Sequence, residues 1–69
     1  MISDTDKTRA VELGRRWQGA VLRGDCSVSY AVQEIVGAFC TPYLSAADAS
    51  EIATLARKGL GKACAMGRP

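Results

Sequence analysis

Three arginines, Arg9, Arg16 and Arg23, recur every seven residues. On a helix they fall within about 40° of one another, in a row some 20 Å long at about 1.5 Å rise per residue. A guanidinium is a planar fork that bonds carboxylate or phosphate bidentately, so such a row suits an acidic protein surface or a nucleic-acid backbone. The plainer alternative is a solvated face in which Glu12 pairs with Arg16 one turn away. A second group of interest is Tyr30, Gln33, Glu34 and Gly37, on the side of a second helix away from its apolar stripe. There Gly37 either leaves a notch for another helix or packs inward against the first helix. Tyrosine offers large amphipathic contact area with few rotors.

Residues that could carry covalent or metal chemistry are scarce. The chain has no histidine, and Cys26, Cys40 and Cys64 are widely spaced with no C-x-x-C pair. A structural zinc site needs a fourth ligand and closer pairs. A disulfide framework is not expected without a secretion signal. Reduced thiols are the expectation, with Cys40 as a small core residue. No glycine-rich phosphate loop and no nucleophile with an evident base is present. The expectation is a non-enzymatic protein without cofactor or metal.

The elements that must position these residues are helical. In the first, about residues 4–23, Ala10, Leu13, Gly14, Trp17, Ala20 and Val21 form one face. Ser3 and Asp6 have the spacing of a weak capping box, and Gly24 is a natural left-handed stop. Trp17 is taken as a core anchor, and Gly14, a turn before it, leaves room for a crossing helix. Ser27 caps a second helix over about 28–40, with the stripe Val28, Ala31, Val32, Ile35 and Phe39. Pro42 disfavours helical geometry at Thr41 and ends it. Ser45 and Asp48 repeat the capping spacing for a third helix over about 46–59, with Ala49, Ile52, Ala53, Ala56 and Leu60 facing inward. Gly59 and Gly61 are expected to fray its end and to leave a loose tail over about 61–69. Residues 1–69 thus read as one all-α domain, a small three-helix unit with short connections. A core this small rarely supplies more than roughly 3–5 kcal/mol, so a homodimer is expected. Val11 and Leu22, outside the main stripe, are the expected dimer interface.

The stretch "FCTPYLSAADASEIA", residues 39–53, invites comparison with a helix-turn-helix. In that motif the second helix leads into the major groove with its N-terminal side chains. Here those would be Asp48, Ser50 and Glu51, the wrong sign for phosphates. The stretch is read as a scaffold corner, and the acids suit the positive end of a helix dipole.

The formal net charge is only +2, but it is unevenly placed. Residues 24–56 carry Asp25, Glu34, Asp48 and Glu51 with no Lys or Arg, whereas residues 57–69 carry Arg57, Lys58, Lys62 and Arg68 with no acid. This is ordinary surface charge or a basis for association through opposite patches. The longest apolar run, "IVGAFC", is far too short to span a bilayer. "MISDTDK" lacks the basic-then-apolar pattern of a signal peptide. A bacterial or phage-encoded cytoplasmic protein is expected, off the membrane. What remains is a protein-binding module, an adaptor or inhibitor that blocks a larger bacterial machine. Phages and mobile elements encode many proteins of this size and class, anti-CRISPR proteins among them, although no motif is shared. The alternative is a small DNA- or RNA-binding regulator that uses the Arg9, Arg16 and Arg23 row.

Overall fold

The structure, a computed structural model, describes residues 2–39 and 44–66. Helix accounts for 80% of the described residues and no strand occurs among them, so the class is all-α. Four helices follow one another: α1 Asp4–Leu22, α2 Val28–Ala38, α3 Ala46–Leu60 and the short α4 Ala63–Met66. Cys40 and the corner expected at 41–44, Leu44 apart, lie outside the described residues.

Each long helix starts where a serine hydroxyl replaces the missing intrahelical partner of an N–H group. Ser3 accepts from the Asp6 amide, Ser27 from the Tyr30 amide and Ser45 from the Asp48 amide, each at 3.0–3.1 Å. Helix α1 ends in a Schellman arrangement. The Gly24 amide donates to Val21 and the Asp25 amide to Ala20, with Gly24 at a φ of 81°. That left-handed value suits glycine, which has no Cβ to clash.

The helices run up, down and up. Arg9 lies over Phe39, at the end of α2, while Trp17 meets Tyr30 near its start, so α1 and α2 are antiparallel. Lys7 pairs with Glu51 at 3.8 Å and Gln18 Nε2 donates to the Leu60 carbonyl at 3.0 Å, so α1 and α3 run in the same sense. The core has two parts. One gathers Val21, Val28, Ala31, Val32, Leu60 and Ala63; the other gathers Ile2, Ala10, Ile35, Ile52 and Ala56. Trp17, part-buried, packs against both and ties them together.

The tightest join is between α1 and α3. Gly14 and Gly59 are both buried and face each other. A Cβ on Gly14 would overlap the Ala56 carbonyl oxygen, and one on Gly59 would overlap the Val11 carbonyl oxygen. Gly14 therefore holds the place expected for a helix crossing. Gly59 does not fray α3 as its composition suggests; it supplies the other half of the crossing. A second difference follows it. Gly61 turns the chain at a φ of 56°, and residues 63–66 form α4, with Ala63 fully buried in the core rather than part of a loose tail.

Candidate interaction surface on α1 and α2

Helix α1 presents a depression of about 350 Å³ lined by Arg9, Glu12, Leu13 and Arg16. Both arginines are exposed and Leu13 is part-buried, its inner side packed on the core. Arg9 is held in place, its guanidinium carbon 5.4 Å from the centroid of the Phe39 ring. A cation over an exposed aromatic face gains about 0.5–1 kcal/mol. Arg16 forms no ion pair among the described residues, and the expected Glu12–Arg16 pair is not present among them. Arg23, the third member of the row, is turned away to its own loop: its Nε donates to Asp25 Oδ2 at 3.1 Å. Of the row, Arg9 and Arg16 line the depression together.

Tyr30, Gln33, Glu34 and Gly37 are all exposed on α2. A Cβ on Gly37 would meet nothing within 4 Å, which rules out inward packing as the reason for this glycine. It costs α2 about 1 kcal/mol relative to alanine and leaves a notch in the outer surface. Tyr30 is 50% exposed, and its ring meets Trp17 edge-on at 6.0 Å between centroids. The Glu34 carboxylate one turn on, by hydrogen-bonding and by its charge, raises the phenol above its ordinary pKa.

Arg9 of the first group and Tyr30 of the second stand at the two ends of one seam. Arg9 over Phe39 closes one end, and Trp17 against Tyr30 closes the other. Gly37 lies within about 20° of Tyr30 around α2 but about 160° from Ile35 and Phe39, so it faces away from the core. Glu12, Leu13 and Phe39 join the surface without any sequence signal for that role. Leu13 and Phe39 read only as inward positions, and a contact between α1 and α2 has no periodicity along the chain.

On the other flank of α1, Val11 is part-buried with its carbonyl against Gly59, while Leu22 is 40% exposed. Cys26 is part-buried beside the core, and Cys64 is exposed, its thiol donating to the Arg57 carbonyl at 3.3 Å. No group of His, Cys, Asp and Glu among the described residues could hold a metal ion. No helix among them is long and apolar enough to cross a membrane. No family model, curated protein or solved structure matches this chain.

Proposed function

We propose that this protein is a non-enzymatic helical module that binds a larger protein partner through the α1–α2 face. It would act as an adaptor, or as an inhibitor of a bacterial protein machine of the kind that phages and mobile elements encode, resembling anti-CRISPR proteins in size and class alone. The bacterial cytoplasm, or the host's if the source is a phage, is the compartment for such a role. Self-association as a homodimer through Val11 and Leu22 accompanies this reading.

The observation that carries it is the mixed character of the depression. Arg9 and Arg16 line it together with a carboxylate, Glu12, and an apolar side chain, Leu13. A surface evolved for nucleic acid neutralises phosphates, and a carboxylate between two arginines opposes that. Protein interfaces combine arginine and aromatic anchors with apolar contacts in this way. The competing reading is a nucleic-acid regulator. It draws on Arg9 and Arg16 with the exposed Arg57, Lys58 and Lys62, and is weakened by the engagement of Arg23 with Asp25.

Tagged protein exposed to bacterial lysate, with and without nuclease, tests the choice. A protein partner that survives nuclease is expected. Arg16→Glu and Tyr30→Ala should each weaken that complex by about 2 kcal/mol or more, the scale of an interface hot spot. Measurement at about 50 and 200 mM salt separates the classes, because phosphate contacts make binding steeply salt-dependent. Salt-steep recovery of nucleic acid that requires Arg16 and ignores Tyr30 would establish the competing reading instead.

A further inference from the structure

We infer that the occupant of the α1–α2 seam is an acidic α-helix of the partner, with carboxylates seven residues apart that meet Arg9 and Arg16. The inference rests on the protein-binding reading above and names the chemistry of the partner.

Charge and spacing carry it. Arg9 and Arg16 lie two helical turns apart on one face of α1, about 10.5 Å along its axis. Carboxylates at i and i+7 of a second helix laid beside α1 have that same separation. Arg9 lies over the Phe39 ring, which favours one placement of its guanidinium. Arg16 is exposed and forms no ion pair among the described residues. Between them Leu13 gives the incoming helix an apolar contact for the residue midway between its carboxylates, while Glu12, which lines the same depression, requires that no acid of that helix stand against it; two discrete carboxylates can meet this, an unbroken row of phosphates cannot. This is the helix-in-groove mode of recognition, with acidic anchors at its ends.

A second copy of the chain fits this face poorly. A two-fold pairing with antiparallel helices centred on the depression sets Arg9 of one copy against Arg16 of the other, and a parallel pairing sets each arginine against itself. Both place like charges in contact. The seam therefore suits a different, acidic chain.

The test uses the whole protein and a defined probe, an alanine-rich helical peptide of about 15 residues with two glutamates seven apart and a leucine midway. Binding is read by calorimetry and by the emission of Trp17, the one tryptophan in the chain, which borders the seam. The glutamate peptide should bind at least about tenfold more tightly than the same peptide with glutamines. Arg16→Gln should remove that preference, whereas Arg23→Gln, whose arginine is engaged by Asp25, should leave it. Gly37→Leu, on the outer face of α2, should leave binding unchanged. All three positions are exposed, so the fold should persist, and melting checks that it does.

Equal binding of the glutamate and glutamine peptides overturns the inference, as does no binding of either below about 1 mM. Equal loss from Arg16→Gln and Arg23→Gln, or a preference for duplex DNA over the acidic peptide, does the same. If the peptides fail while a lysate protein is still lost on Arg16→Glu, the acidic-helix occupant is wrong and the protein-binding reading stands.

Discussion

Glycine at position 14 and glycine at position 37 are both helical, yet they answer to opposite demands. Gly14 faces Gly59 across a crossing where a methyl group on either would overlap a backbone carbonyl. Backbone atoms cannot turn away as a side chain can, so relief requires α1 and α3 to separate. Overpacking of this kind costs about 1–3 kcal/mol and occasionally more. Gly37 has open space where its Cβ would stand. Alanine there gains about 1 kcal/mol of helix propensity with nothing to strike. Gly14→Ala and Gly59→Ala should therefore lower the urea midpoint and Gly37→Ala should raise it. Three shifts of one sign would show that the crossing is looser than its geometry states. A sequence reads glycine only as permission. Gly14 could be assigned to a crossing because Trp17 and the inward stripe surround it. Gly59 could not, because it precedes Gly61 at the end of a helix, where glycine usually marks a stop.

The starts of the helices were legible in the sequence because capping is local. Ser3, Ser27 and Ser45 each stand three residues before the amide they cap, and all three make that bond. Inward faces were legible for the same reason, since Ala10, Val21, Ile35, Ile52 and Leu60 follow a single helical period and are buried. Helix α4 was not legible. Four residues are too few to show a period, and "ACAM" between glycines reads as a tail. Its order comes from tertiary contacts, the burial of Ala63 in the core with Val21, Val28, Val32 and Leu60 and the bond from the Cys64 thiol to the Arg57 carbonyl. The candidate surface suffered from the same blindness. The row of arginines was visible, but not that Arg23 would turn to Asp25 or that Arg9 would settle on Phe39. If α4 is a packed element, a charge at position 63 must be desolvated or must expel the helix. Ala63→Asp should then cost about 2 kcal/mol or more, while Met66→Ala, at a site 73% exposed, should change little. Thermal melts of the two variants check this, and equal melting temperatures would return residues 63–66 to a loose tail.

A chain of 69 residues has little interior. Its largest fully buried side chains are Ile35, Ile52, Leu60 and Val21, and much of the α1–α3 join is made of glycine and alanine backbone. Close backbone approach yields good dispersion contact but little buried apolar area, so the net stability from one copy is small. A second copy adds area without adding chain. The face with Arg9 and Arg16 is poorly suited to that use, because a two-fold centred on it sets like charges together. Leu22 and Val11 lie about 140° around α1 from those arginines, on the side toward α3. Val11 is already partly covered there, so Leu22 would carry most of the apolar contact. The proposed homodimer should form at micromolar concentration, and sedimentation across a concentration series reads it directly. Leu22→Glu should leave a monomer, since it puts two carboxylates into a shared apolar contact. That variant should still bind the acidic peptide, because the two surfaces occupy different flanks of one helix. A mass that stays monomeric up to about 100 μM would mean that one copy stands alone. Loss of peptide binding together with dimerisation would mean instead that the two flanks are not independent, and that the seam is completed only when a second copy is in place.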